Sequence, residues 1–486
     1  MYHISVVFIR RVKTKSGATA IQIAYKRYGK IVKIEHIGSA HNRQEEDILV
    51  NLANHRLYAN QPSLFNETVN RLKLSLKSSS SNLLRKTLFD QYDKLGFNQL
   101  KDEIFALLCI ARIVEPTSKL DSLRVLTDLG IDNIDKNELY RCLKKVVRND
   151  YRKTISQCCF NHAVKMNISL VLYDVTTLYF EVQQEDSYRR PGLSKERRLE
   201  PQIVIGLLVD QSGFPLGISS FEGNTAETKT ILPIIETFCL EHSVDKITVV
   251  ADAAMLSAGN LSSLEKSGHS FIVGSRMHKV PYDIVNYQKT KKLLDGQIIE
   301  SHYKNYRVVY QYKIKRAELD EKNIEKQISK AQRIISGKTS VSKAKFVTIK
   351  VKVKKLNLDL INKAHALAGI KGYVTNLNIP AKRIIDYYHQ LFQVEASFRM
   401  AKSDFKARPI FHRKRDSIEA HLTIVLASLA IGRNIESQVN SSIKQLVKTL
   451  RPIKSGVITL NGKEYSVPEN VSPVIHNLLD KLQSGH

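Results

Sequence analysis

Four short apolar runs between residues 168 and 274 constrain this chain most. They are Ile168 to Tyr173, Ile203 to Val209, Ile247 to Ala251 and Phe271 to Gly274. Runs of this kind form strands buried within a sheet. A turn at Asp210-Gln-Ser-Gly213 sends the second into a further strand, Pro215 to Phe221. Helical stretches, Ala226 to His242 and about Ser257 to Ser267, separate the later runs. Three strands, then helix, strand, helix and strand give a mixed sheet with helical cover.

Charge narrows the partners. Lys and Arg number 75 against 47 Asp and Glu, a formal net charge of +28. Such a surplus points to a polyanion, nucleic acid first and an anionic membrane surface second, although a compositional bias toward Lys would also produce it. With 486 residues and 43% hydrophobic content, the chain has length for several domains and apolar matter for their cores. The cysteines Cys109, Cys142, Cys158, Cys159 and Cys239 form no CxxC pair and suggest neither a disulfide framework nor a zinc site. The N-terminal apolar stretch is too short for a signal segment, and no uninterrupted apolar run reaches the ~18 residues of a membrane span. The expectation is a soluble cytoplasmic protein, associated with the nucleoid when bound to DNA.

The texture changes on either side of the strand block. Residues 1 to about 60 read as short strands: Ser5 to Ile9, Ala20 to Tyr25, and Ile31 to Ile37. Ser75 to Leu84 reads as a Ser-rich linker. From about 96 to 165 the pattern is helical, and Pro116-Thr-Ser118 ends one helix and caps the next. Tyr306, Val308, Tyr310 and Tyr312 fall at alternate positions, and Val347, Ile349, Val351 and Val353 alternate with Thr348, Lys350, Lys352 and Lys354. The second run reads as one half-buried strand with a basic outer face, and Asp295-Gly296 reads as a hairpin turn. Glu318 to Ile335 reads as a charged helix, helices resume from Ala381 to Ser437, and Gly456 to Val467 reads as a hairpin. The divisions are 1–84, β-rich with a linker; 85–165, helical, either a DNA-binding module or a structural support; 166–276 and 373–437, two parts of one α/β core; 277–372, a β-rich insertion; and 438–486, a tail.

Two of the apolar runs end in an aspartate: LVLYD at Asp174 and ITVVAD at Asp252. A buried strand delivers a rigid carboxylate, and an ionised one there is costly unless it meets a cation. Either Asp alone reads equally as a cap for the turn that follows. As a pair on neighbouring strands they make an oxygen-rich site suited to Mg²⁺. Tyr388, Leu391, Glu395, Phe398 and Lys402 recur at three- and four-residue steps and share one helix face. A carboxylate there, between a phenol and an ammonium, suits a metal and a phosphate, or an ordinary amphipathic helix.

These motifs resemble the DDE transposases of bacterial insertion sequences, in the ribonuclease H-like superfamily. Tyr388, Glu395 and Lys402 match the spacing of the branch with a Y-x2-R-x3-E-x6-K signature; Leu391 stands where that signature has Arg, and Arg399 is the substitute on offer. YDVTTLYFE resembles the first catalytic block. FEGNTAETKT with ITVVADAAMLSAGNL resembles the second, and IKGYVTN followed by YYHQLFQVEASFRMAKSDFKARPIFHRK the third. The likeness spans about residues 85 to 435. It implies a ribonuclease H-like mixed five-stranded sheet with flanking helices, interrupted by a strand-rich insertion and preceded by a small β region and a helical domain. It further implies two Mg²⁺ ions, replaceable by Mn²⁺, held by Asp174, Asp252 and Glu395. The partners implied are double-stranded DNA, as transposon ends and target, and a second copy in a synaptic homodimer. The expected DNA contacts are Tyr388, Arg399, Lys402, Arg408, His412, Lys350, Lys352 and Lys354; for Arg408 and His412 a solvated basic loop, and for the three strand lysines a protected sheet edge, fit as well. The expected reaction is hydrolysis at the element's ends, then attack of the 3′-OH on target DNA. The alternatives are a related metal-dependent nuclease or resolvase, and an inactive DNA-binding derivative.

Overall fold

A computed structural model describes all residues except 1–5, 15–16, 59–73, 166–169, 182–183, 193–198, 254–256, 278, 340–344, 351–352, 461 and 485–486. The chain begins with β1 (Val6–Lys13), β2 (Thr19–Arg27), β3 (Lys30–Ala40), α1 (Arg43–Tyr58) and β4 (Leu74–Ser80). Helices α2 (Asn82–Lys94), α3 (Glu103–Val114), α4 (Ser122–Asp128), α5 (Lys136–Arg148) and α6 (Tyr151–Lys165) follow. Next come β5 (Leu170–Tyr179), β6 (Gln202–Val209), β7 (Pro215–Glu222), α7 (Ile231–His242), β8 (Thr248–Ala251), α8 (Ala258–Lys266) and β9 (Ser270–Gly274). After them lie α9 (Tyr282–Thr290), β10 (Ile298–Tyr303), β11 (Tyr306–Tyr312), α10 (Ile314–Ile335), β12 (Val347–Lys350), β13 (Val353–Leu356), α11 (Leu358–Ala366) and β14 (Ile370–Thr375). The remaining elements are α12 (Ala381–His389), α13 (Phe392–Arg399), α14 (Arg415–Gln438), α15 (Ile443–Leu450), β15 (Ser455–Leu460), β16 (Lys463–Val467) and α16 (Pro473–Ser484).

The chain forms two compact units. One gathers Met1–Thr87, Thr127–Asp132 and Lys444–Asp480; the other holds the rest. In the first, Ile21 and Ile23 of β2 pack against Ala53, Leu49 and Leu57 of α1. Ser75 to Leu84 is not a linker. Most of it is β4, paired antiparallel with β15 in the sheet β16-β15-β4. The partner strand lies far along the sequence: Ser81 Oγ donates to the Arg451 carbonyl (2.8 Å) across 370 residues.

The second unit is built on an eight-stranded mixed sheet in the order β10-β11-β14-β9-β8-β5-β6-β7. β5 pairs antiparallel with β6 and parallel with β8, and β8 runs parallel to β9. Every residue of β6 is buried, as its unbroken apolar run requires. α14 has the length and apolarity of a membrane span, but 89% of that window is buried, packed among α3, α5, α6 and β7. The five cysteines are free thiols.

Four local expectations change. The run at Asp174 does not end there, because β6 carries β5 on to Tyr179 after β8 has left. The stretch 277–372 does not form a strand-rich body of its own. β10 and β11 extend the main sheet through β14, with Val308 and Tyr310 buried against Ile284 and Ile370. α10 and α11 enclose a small core of Ile324, Ala331, Phe346 and Ile361. The alternating run from Val347 is two strands, not one: β12 turns back on β13 with Lys350 opposite Val353. Asp295-Gly296 precedes β10, and the hairpin turns instead at Lys304, whose φ is +55°.

Gly206 on β6 lets Tyr173 approach α7. Tyr173 Oη donates to Thr230 Oγ1 (2.8 Å), and a Cβ at Gly206 would meet that hydroxyl and Ile234 Cδ1 at 2.5 Å each. Gly206→Ala should therefore cost about 1–3 kcal/mol, measured by chemical denaturation. His242 at the end of α7 is also buried, with Nδ1 3.0 Å from Gln157 Oε1 and Nε2 3.2 Å from Ser156 Oγ. Burial, helped by Lys153, pulls its pKa down to about 4. The unfolded chain therefore binds this proton more readily than the fold. Its stabilising contribution is whole above pH 6.5 and is lost as pH falls through about 4. Melting temperature should drop across that window, and His242→Gln should make the drop shallower.

Candidate functional site

The parallel ladder brings two carboxylates together. Leu170 to Tyr173 pair rung by rung with Thr248 to Ala251, so the next residues, Asp174 and Asp252, follow side by side. Neighbouring strands lie about 4.8 Å apart, and register partners of parallel strands point to the same face. Beyond this rung β8 ends, and the carboxylate of Asp252 accepts the Ala253 N–H at 2.7 Å. Asp174 accepts the Val175 N–H at 2.8 Å. Asp174 is half-buried and Asp252 is exposed.

The face that carries Asp174 is covered by the late helices. α12 packs on β8, β9, β11 and β14, and α13 on β5 and β6. Tyr388, near the end of α12, donates its hydroxyl to Asp252 Oδ1 (3.1 Å). Gly274 makes room for that phenol, since a Cβ there would lie 2.8 Å from Tyr388 Oη. Burial raises the Tyr388 pKa, and the charge and hydrogen bond of Asp252 raise it further, so the phenol stays protonated and donates.

Tyr388 and Glu395 do not lie on one continuous helix. The chain breaks at Gln390 and Leu391, and α13 starts anew at Phe392 with Glu395 in its first turn, exposed. α13 is nonetheless tightly held. Val394 and Phe398 are buried; Ser397 Oγ donates to the Gly213 carbonyl (2.7 Å), and Arg433 bonds the same carbonyl (3.2 Å) and Gln393 Oε1 (2.7 Å). Gly213, at φ +84°, is the turn between β6 and β7. A single π turn, Met400–Asp404, then carries Lys402, whose ammonium donates to Thr176 Oγ1. Thr176 is two residues beyond Asp174 on the same face of β5.

Lys371 on β14 is a member of this group that the sequence did not single out. Its ammonium lies 4.3 Å from the Tyr388 ring centroid. Burial lowers its pKa and Arg316 adds to that, while Asp252 and Glu395 both oppose it. Lys371 therefore lies within electrostatic reach of both carboxylates. It lies in the IKGYVTN stretch of the third block, but its approach to Asp252 appears only in the folded sheet.

The other expected residues stand elsewhere. Arg399 is exposed at the end of α13. The Arg408 guanidinium lies 5.6 Å over the Tyr179 ring at the far end of β5, and the His412 ring lies 5.7 Å from that of His421. Lys354 is half-buried in the separate sheet β12-β13, away from the carboxylate strands; Lys352 and the side chain of Lys350 lie outside the described residues. Among the described residues, no three Asp, Glu, His or Cys side chains are gathered closely enough to form a metal-binding group. Asp174 and Asp252 each follow the last paired rung of β5 and β8, and Glu395 stands on the neighbouring helix α13.

Residues 165–431, more than half of the chain, match the family model of the transposase DDE domain. The chain belongs to the DDE transposase family. A solved structure, "Cryo-EM structure of piggyBac transposase synaptic complex with hairpin DNA", is similar at 11% identity with a TM-score of 0.40; the match covers 72% of this chain and 69% of that one. Comparison with curated proteins gave no match. The matched span of this transposase domain contains Asp174, Asp252, Glu395, Tyr388, Lys371 and Lys402 together.

If the hydroxyl of Ser397 is what pins α13, Ser397→Ala should destabilise the protein by about 1 kcal/mol, as expected for one buried hydrogen bond. Amide exchange over Val394 to Phe398 should accelerate more than exchange in β5 or β6. Uniform acceleration across all three elements would show that the bond does not anchor this helix.

Proposed function

We propose that this chain is a DNA transposase that binds the terminal inverted repeats of its element, cleaves at the ends and joins the freed 3′-OH to target DNA. The observation that carries this reading is the adjacency of Asp174 and Asp252 across an in-register parallel pair, within a matched DDE domain. The order β7-β6-β5-β8-β9, three antiparallel strands followed by two parallel ones, supports a ribonuclease H-like core. The charge of +28 supports a polyanionic substrate, here the DNA of two ends held by a homodimer.

The donor set fits a hard divalent cation such as Mg²⁺ or Mn²⁺, because paired carboxylate oxygens are its preferred ligands. Asp174, Asp252 and Glu395 are the residues that would hold the ions. Bound ions supply activation of the nucleophile and neutralise charge on the phosphorus and the leaving 3′ oxygen. Tyr388 orients the Asp252 carboxylate through its donated hydrogen bond. Lys402, tethered to Thr176 beside Asp174, offers its ammonium to a backbone phosphate as a point charge. Lys371, within electrostatic reach of Asp252 and Glu395, places a positive charge beside the carboxylates. Arg399, Arg408 and His412, with Lys350, Lys352 and Lys354, would contact the DNA backbone.

Purified protein with Mg²⁺ should nick and join DNA carrying the element's own ends. Asp174→Ala, Asp252→Ala and Glu395→Ala should each abolish both steps and leave DNA binding intact. Cleavage retained in Asp174→Ala would refute the reading. Hydrolysis without joining would identify a nuclease or resolvase, and binding without cleavage of any substrate an inactive derivative.

A further inference from the structure

Away from the carboxylates, the second unit holds a cleft of about 600 Å³. One wall is the loop after α3, with Lys119; the other is the loop between the π turn and α14, with Arg408 and His412. Arg112 and Lys119 line it although they are only 7% and 6% exposed. Among the described residues no carboxylate pairs with either. Arg112 Nη2 lies 3.0 Å from His421 Nδ1, whose Nε2 lies 3.2 Å from the Ala407 carbonyl. The two carboxylates of the same loop, Glu115 and Asp121, are engaged by Arg124. Burial drives the Lys119 pKa well below its ordinary value, with repulsion from Arg112 adding to it. Burial, then Lys119 and Arg112, drive His412 down to about 4. Buried cations without an anion destabilise a fold, and an anion bound among them removes that penalty.

The cleft continues the line of β5. Ile410 N–H donates to the Tyr179 carbonyl (3.2 Å) and Arg408 lies over the Tyr179 ring. Tyr179 is five residues beyond Asp174 on that strand, about 16 Å away at 3.3 Å per residue. Two aromatic side chains stand exposed at the cleft, Phe411 (72%) and Tyr140 (48%). Cations that take phosphate beside exposed rings that take bases are the two parts of a single-strand binding groove.

We propose that this cleft binds an unpaired DNA strand leading away from the carboxylates, one backbone phosphate seated among Arg112, Lys119 and Arg408 and an adjoining base stacked on Phe411 or Tyr140. The inference rests on the transposase reading and adds to it a strand-holding site beyond the cutting centre.

The test is fluorescence anisotropy of a short labelled oligothymidylate with the full chain in chelator, so that no metal chemistry contributes. Lys119→Met should weaken binding about tenfold and reduce the slope of log affinity against log salt by about 0.7, one phosphate contact on a single strand. Phe411→Ala, at an exposed position that leaves folding untouched, should weaken it about fivefold or more. Without DNA, Lys119→Met should melt at or above the wild-type temperature. Unchanged affinity in both variants would overturn the proposal. So would a Lys119→Met protein that melts lower, or inorganic pyrophosphate that raises the melting temperature while the oligonucleotide fails to bind. Asp174→Ala should bind the oligonucleotide like wild type. Absent cleavage with these arms as stated therefore removes only the transposase reading, and cleavage with flat arms removes only the cleft.

Discussion

The parallel pairing of β5 with β8 governs the site, because it alone decides whether Asp174 and Asp252 share a face. Side chains alternate along a strand with a period of two, so a slip of one rung would turn one carboxylate to the opposite side of the sheet. Burial prevents the slip. Leu170, Val171, Leu172 and Tyr173 are buried, as are Val249, Val250 and Ala251 opposite them. Tyr173 and Asp174 point to opposite faces. The ring packs beside Gly206 and bonds Thr230 ahead of α7, while the carboxylate meets the layer of α12 and α13. Moving either side chain would break contacts on both sides of the sheet at once.

Directed polar links add to the apolar burial that holds the second layer. Tyr388 reaches Asp252, Lys402 reaches Thr176, and Ser397 with Arg433 ties α13 to the turn at Gly213. Each is a directed bond from a helix to the strand end or turn beneath it. The break at Gln390 and Leu391 makes α12 and α13 separate bodies, so the orientation of Tyr388 does not fix that of Glu395.

The strands of the core were legible because unbroken aliphatic runs have few other uses. Ile203 to Val209 and Phe271 to Gly274 fall inside β6 and β9. The seven-residue spacing of Tyr388, Glu395 and Lys402 was legible too, but only as one helix. No Pro or Gly stands at Gln390 or Leu391, and nothing in the local sequence marks the break there. Partners far along the chain were invisible: β4 needs β15, β11 needs β14, and Lys371 meets Tyr388 and the acidic pair only in the folded sheet. The alternation from Val347 was correct in period and misleading in length, since period two is the same in one strand as in two folded back on each other.

Charge in the second unit follows the same geometry. At the carboxylate rung, acids are opposed by Lys371 and Lys402, and polar groups hold them in place. Past the far end of β5, Arg112 and Lys119 are buried, no carboxylate among the described residues pairs with either, and burial disfavours their charged forms. Hydrophobic side chains of similar size would pack there at no such expense. The carboxylates thus stand partway along β5, and the cleft of Arg112 and Lys119 adjoins its far end through Arg408 at Tyr179. The strand proposed above would bring phosphate to Arg112 and Lys119 while its reacting end lies at Asp174 and Asp252.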